Sequence, residues 1–154
     1  MKSRTCCFSG HRDVPVEDVE RIKNQLRVEV ENLINKGVVF YGTGGARGFD
    51  LLAAEVVLEL KKKYSHIRLI FVLPCFNQTK YWNKCDKEKY RIIINRADKV
   101  KVLSYAYTKD CMLTRNRHLV DNSAYIICYN RKNTGGTDYT VNYAEKQNLK
   151  IIRV

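Results

Sequence analysis

Val38-Val39-Phe40-Tyr41-Gly42-Thr43-Gly44-Gly45-Ala46-Arg47-Gly48-Phe49-Asp50 reads as a short apolar strand, a glycine-rich turn and the opening of a helix. The helix is predicted to run from Phe49 to Lys63, with Leu52, Val56 and Leu60 at steps of four and Lys61-Lys62-Lys63 where the helix dipole favours cations. A strand delivered into a helix in this way is the repeating unit of a mainly parallel α/β sheet, and the alternation extends in both directions. Strands are predicted at Thr5 to Ser9, Val38 to Tyr41, Arg68 to Leu73, Val100 to Leu103, Ala124 to Tyr129 and Lys150 to Val154. Between the first two, Val19, Ile22, Leu26, Val30, Leu33 and Ile34 recur at steps of three or four, so one helix face can cover the sheet, with Gly37 as its stop. Weaker helical periodicity covers Asp86 to Ala97, Leu113 to Ser123 and Thr137 to Gln147.

The 154 residues, 45% hydrophobic and 29% charged with only 8 Gly and 2 Pro, suit one globular domain spanning residues 1–154 and exclude a disordered or collagen-like chain. No linker, repeat or low-complexity segment divides them. The apolar run from Ile67 to Cys75, interrupted by Arg68, is far shorter than the roughly 20 residues of a membrane span. Met1-Lys2-Ser3-Arg4 leads into Thr5-Cys6-Cys7-Phe8-Ser9 and then Gly10-His11-Arg12 before a signal-peptide apolar region can develop, so a cytoplasmic protein with no membrane partner is expected. The six cysteines form no Cys-x-x-Cys pair and fall largely within strand-like runs, which favours reduced thiols; their spacing with histidine matches no metal site.

Twenty-eight Lys and Arg stand against 16 Asp and Glu, a net charge of +12, and from Asn77 to His118 there are 11 basic residues and 4 acidic ones. Such an excess suits an anionic partner, either nucleic acid or a phosphorylated small molecule; it equally suits a solvated basic surface.

In a parallel sheet, ligands bind outside the carboxyl ends of the strands. Four such ends carry the informative residues: Ser9-Gly10-His11-Arg12, the Gly42 to Asp50 turn, Pro74-Cys75, and Thr134-Gly135-Gly136-Thr137. In the second, Gly42, Thr43, Gly44, Gly45, Ala46 and Gly48 allow backbone amides to approach a phosphate at the positive end of the following helix, and Arg47 can pair with an anion. The glycine spacing is neither the dinucleotide fingerprint nor a Walker loop, and the plain alternative is a tight turn that binds nothing. Asp50 is a ribose-hydroxyl acceptor or a group satisfying the helix N-terminus. Gly135, Gly136 and Thr137 offer a second anion cradle or an ordinary helix cap. On the helix near Met112, Arg115 and His118 share a face at a three-residue step, and His118 alone reads as a surface residue. His11 fits binding or capping better than proton transfer, since no carboxylate lies near it in sequence. Cys75 lacks an identifiable activating base and reads as a small packed thiol. Trp82, with Tyr81 and Tyr90 among Lys80, Lys84, Lys87 and Lys89, is the base-stacking candidate, against simple packing.

Taken together, Phe8-Ser9-Gly10-His11-Arg12, Gly44 through Glu55, Leu73-Pro74-Cys75, Cys111 through Arg117 and Thr134 through Thr137 resemble the SLOG superfamily, and within it the YpsA-like family of small stand-alone bacterial and phage proteins. That superfamily contains the DNA-processing protein DprA and the LOG phosphoribohydrolases. The resemblance implies a Rossmann-like three-layer α/β/α domain with a mainly parallel sheet of about five to six strands. It implies binding, for sensing or sequestering, of a nucleotide-derived ligand such as ADP-ribose or a nucleoside phosphate, with no further cofactor required, and a homodimer. Arg115 and Asn116 join the expected binding set. An alternative is LOG-like N-glycosidase activity on nucleoside monophosphates. Met112 and Arg115 match one LOG segment, but Asn116 stands where lysine would be. Counting from Gly136-Thr137, the catalytic glutamate position falls on Thr140, leaving Arg115 and Glu55 as weak catalytic candidates. A second alternative is DprA-like binding of single-stranded nucleic acid, suggested by Gly45-Ala46-Arg47-Gly48-Phe49-Asp50 and by the net charge.

Overall fold

Apolar strands buried on both faces require helices above and below them, and the chain supplies five. The computed structural model describes residues 1–154 as β1 Thr5–Gly10, α1 Val19–Asn35, β2 Phe40–Thr43, α2 Phe49–Lys61, β3 Arg68–Leu73 and α3 Lys84–Ile94. The chain continues through β4 Lys99–Val102, α4 Cys111–Asp121, β5 Tyr125–Tyr129, α5 Gly136–Lys146 and β6 Lys150–Arg153. All six strands pair in parallel, in the order β4-β3-β2-β1-β5-β6. This is the expected Rossmann-like α/β fold, with no antiparallel strand. No helix is long and apolar enough to cross a membrane.

Each strand lies within two residues of its expected start. The second begins at Phe40 rather than Val38, because Val39 donates its N–H to Arg4 and accepts from Arg68 before regular pairing starts. Two helices begin two residues earlier than periodicity suggests. The α3 helix opens behind Asn83, whose side chain accepts from the Asp86 N–H at 2.8 Å, a cap that a count of apolar steps does not register. The α4 helix opens at Cys111, itself buried, two residues before the expected start at Leu113.

The sheet divides the core unequally. On the α1–α3 side, 25 buried residues form one cluster that includes Phe8, Tyr41, Phe49 and Phe71. On the α4–α5 side, nine buried residues do the same work, among them Val72, Val120, Ile126 and Val141. The edge strand β4 is exposed along most of its length and carries Lys99 and Lys101, which discourage pairing with another sheet.

The topology selects a place for a ligand. From β1 the chain proceeds outward through β2, β3 and β4, then returns by way of α4 to lay β5 on the other side of β1. The loops after β1 and β5 therefore diverge to opposite faces and leave a crevice at the strand ends.

Candidate functional site

The crevice is a cleft of about 640 Å³. Its walls are the β1 exit from Ser9 to Asp13, Ala46 and Asp50 of the glycine turn, the first turns of α4 at Met112, Leu113, Arg115 and Asn116, and the β5 exit from Tyr129 to Thr137. The volume falls within the range of small-molecule sites.

At the floor lies Asp50. It is 6% exposed, and its Oδ2 accepts the Ala46 N–H at 3.2 Å. Burial pushes the carboxyl up to about 6, against the attraction of Arg115, the Ala46 N–H and Arg12. The folded state thus holds this proton more tightly than the unfolded chain, whose value lies near the ordinary 3.8. Stability is expected to fall as pH rises from about 4 to about 6, by about 3 kcal/mol for this group alone, and to level off above. Urea unfolding of wild type and Asp50→Asn across that interval checks the sign. The wild type should lose stability through the window, and the variant should lack that component.

Arg115 is 4% exposed and works in the wall. Its guanidinium donates to the Gly44 carbonyl, reaches the Val72 carbonyl at 3.5 Å, and donates from Nε to the Asn116 side chain at 2.7 Å. A Cβ on Gly44 would lie 2.4 Å from that guanidinium, so the absence of a side chain there is what lets the arginine seat.

His11 joins two walls. Its Nε2 accepts the Arg131 N–H at 2.7 Å, and its ring meets Tyr129 edge-on at 5.4 Å. Burial, with Lys132 and Arg131 beside it, holds its pKa below the usual value, so at neutral pH the ring stays uncharged and able to accept. The ring thus ties the β1 exit to the β5 exit.

Gly135 opens α5 with no side chain capping the helix. The first turn of α5, at Gly136 and Thr137, lines the cleft, beside Arg131 and Lys132 on the same loop and Arg12 opposite. Such an end attracts anions.

Several residues singled out from sequence lie elsewhere. Gly42 faces α4, where a Cβ would meet Leu119 at 3.0 Å, and lines a shallow groove on the sheet with Ile70 and Lys99 instead. Thr43 is fully buried; its hydroxyl donates to the Asp50 carbonyl at 3.3 Å and accepts the Gly45 N–H at 3.4 Å, so it ties the turn. Gly44, Gly45 and Gly48 shape that turn without lining the cleft. Arg47 does not line the cleft itself but pairs with Asp13, at the rim of the β1 wall, at 2.7 Å. Pro74 is buried and absent from the cleft wall, so the β3 exit does not join the other three; the Arg115 guanidinium between Gly44 and Val72 fills that approach. Glu55 pairs with Lys23 at 3.3 Å and Lys89 at 3.1 Å in the groove between α2 and α3, because its position on α2 is more than a turn beyond the strand ends. Trp82 packs edge-on against Tyr90 at 5.4 Å over the main core and stacks on no open surface. Thr140 is buried, its hydroxyl donating to the Gly136 carbonyl at 2.8 Å, so the position of the expected glutamate does not reach the cleft either.

Tyr129, Arg131 and Lys132 were not anticipated. They directly follow β5, and the rule that ligands gather at strand exits would have found them had the reading of that exit begun at Tyr129 and not at Thr134.

The family model YpsA, described as the YspA SLOG family, matches residues 7–152 and so takes in every wall of this cleft. The chain belongs to the YspA SLOG family. Among its relatives, the SPbeta prophage-derived protein YoqJ of Bacillus subtilis strain 168 is 32% identical over 142 residues, covering 84% of this chain and 83% of YoqJ. The family fold extends to larger proteins. DNA processing protein A of Streptococcus pneumoniae superposes with a TM-score of 0.71 at 18% identity, over 99% of this chain and 50% of that one. The Helicobacter pylori protein, whose structure concerns single-stranded DNA binding, superposes with a TM-score of 0.67 at 20% identity, over 99% of this chain and 65% of that one. This SLOG chain thus spans half to two-thirds of the length of those two proteins.

Proposed function

We propose that the cleft binds, for sensing or sequestering, a nucleotide-derived small ligand of the nucleoside phosphate or ADP-ribose type. One observation carries the reading: the uncapped N-terminus of α5, with Arg131 and Lys132, opens into the same cleft that has the buried Asp50 carboxylate at its floor. Phosphate suits the first because helix amides and guanidinium forks satisfy its oxygens. Sugar hydroxyls suit the second, since an ionised carboxylate accepts and does not donate.

The cleft walls hold Arg12, Arg115, Arg131 and Lys132 against Asp13, Asp18 and Asp50. With charges nearly balanced, position and not bulk potential would orient the ligand. Titration calorimetry with AMP, ADP, ADP-ribose and NAD, followed by chromatography of each mixture, tests the reading. A saturable, stoichiometric complex with intact ligand is the expected result, and no binding by any of the four would sink it. Arg131→Ala combined with Lys132→Ala should weaken the best ligand about 10-fold or more. Arg47→Ala removes only an exposed ion pair to Asp13 at the cleft rim and should leave it within about twofold of wild type, as read in the same calorimeter.

Cleavage at the glycosidic bond is the second reading, and Asp50 favours it as a carboxyl in the cleft that gains and loses its proton near pH 6. Free base accumulating in the chromatograms would establish it.

A further inference from the structure

Strands of a parallel sheet are ordinarily covered on both faces, and here one face is covered only in part. On it α4 packs over β1 and β3, and α5 over β1, β5 and β6. Beyond α4 the apolar side chains of Phe40 and Ile70 are left half-buried. Ile70 and Val72 point to this side, and their partners across β4 are Lys99 and Lys101, so both lysines stand on the same face. Gly42, opposite Ile70 on β2, adds no side chain. The result is a groove of about 350 Å³ with Phe40, Ile70 and Val72 for a floor and His118 and Leu119 of α4 for one wall.

The rim is cationic and unrelieved. Lys2, Lys99 and Lys101 line it, and no Asp or Glu does. None of the three lysines has an ion pair within the chain. The acids beside the groove in sequence are engaged elsewhere: Asp98 pairs with Lys61 and accepts the Leu69 N–H at 2.8 Å, and Asp121 accepts the Tyr143 hydroxyl at 2.7 Å.

A matching occupant is apolar where it faces the sheet and acidic along its flanks. Lysines on the β4 edge oppose an added strand. A helix fits: the six residues of β3 span about 20 Å, the length of about 13 helical residues, and such a helix would lie along α4 as α5 does on the other flank. Nucleic acid matches less well, since unpaired bases need ring faces and the floor is aliphatic apart from Phe40. A second copy of this chain would bring +12 against +12, which opposes contact through a cationic rim.

We propose that this groove docks an acidic amphipathic helix of a partner protein, whose apolar stripe completes the layer over β2, β3 and β4 and whose carboxylates meet Lys2, Lys99 and Lys101. The groove is separate from the nucleotide cleft, and the two readings stand or fall independently.

Fluorescence anisotropy with a labelled peptide of about 18 residues, built of Leu and Glu with leucines at steps of three and four, tests the groove against a scrambled peptide of the same composition. Wild type should bind the patterned peptide about 10-fold or more tightly than the scrambled one. Lys99→Glu/Lys101→Glu should weaken it about 10-fold or more, while Lys84→Glu/Lys87→Glu, the same charge change at exposed positions of α3, should leave it within about twofold. Calorimetry with AMP should not distinguish the groove variant from wild type. If charge reversal lowers the melting temperature, Lys99→Gln/Lys101→Gln takes its place, with about threefold loss expected. Equal binding of the two peptides, or equal loss in the two lysine pairs, marks general attraction to a basic protein and overturns the proposal. Unchanged peptide affinity in the groove variant overturns it too and leaves the cleft intact. An oligothymidylate that displaces the peptide and loses affinity in the groove variant would assign the face to nucleic acid, and a wild-type dimer that the same variant dissociates in sedimentation would assign it to a second copy; either ends the proposal.

Discussion

Arg115→Ala is expected to destabilise the protein by about 3–5 kcal/mol, the usual cost of leaving a buried charge without its partner. Three groups lose their donor at once: the Gly44 and Val72 carbonyls and the Asn116 side chain. Asp50, buried and attracted by Arg115, also loses a compensating charge. For a chain of this length each kcal/mol is worth about 2–4 °C, so melting should fall by about 10 °C or more, measurable by circular dichroism. Arg115→Lys should recover little, because one ammonium cannot reproduce a fork that serves three acceptors in fixed directions. A loss under about 1 kcal/mol for the alanine variant would mean that water satisfies the wall and that the guanidinium is not its keystone.

Gly48→Ala should cost a similar amount for a different reason. Gly48 has φ of +80°, a conformation that side-chain-bearing residues rarely adopt. A Cβ there would stand 2.2 Å from the Arg12 carbonyl oxygen and 2.5 Å from its carbon. Backbone, unlike the end of a flexible side chain, cannot swing aside, so either the β1 exit or the start of α2 must move. Added to backbone strain of about 1–3 kcal/mol, that displacement should bring unfolding well below the wild-type midpoint in urea and also weaken nucleotide binding, since Arg12 belongs to the cleft wall. A variant of native stability would show that the β1 exit yields easily.

The glycine turn illustrates what a sequence discloses and what it withholds. Its strand-turn-helix character followed from local rules, because glycine density and the period of four in Leu52, Val56 and Leu60 are properties of neighbours along the chain. Its role did not follow. The turn was expected to cradle phosphate with its own amides, yet the Gly44 carbonyl faces Arg115, 71 residues away, and Gly48 lies against Arg12. Those are distances across the fold that no spacing encodes. The cradle most open to a ligand belongs to Gly135 and its neighbours, a shorter and plainer signal.

Helix faces account for other differences. Thr140 stands one turn beyond Gly136, and the helical step that makes them neighbours turns the hydroxyl onto the Gly136 carbonyl instead of into the cleft. Glu55 is drawn to Lys23 and Lys89, partners on two other helices. Trp82 carried two readings, base stacking and simple packing, and half-buried it lies edge-on against Tyr90 at the margin of the main core.

The unequal division of the core bears on how the molecule opens. With 25 buried residues on one face of the sheet and nine on the other, the α4–α5 layer is the part that can detach at least cost while the remainder stays folded. The cleft straddles that seam, with β1, Ala46 and Asp50 on the heavier side and Arg115, Gly135 and Thr137 on the lighter. A molecule held by both sides acts as a staple across the weakest joint, so occupancy is written into the lifetime of the closed layer as well as into affinity.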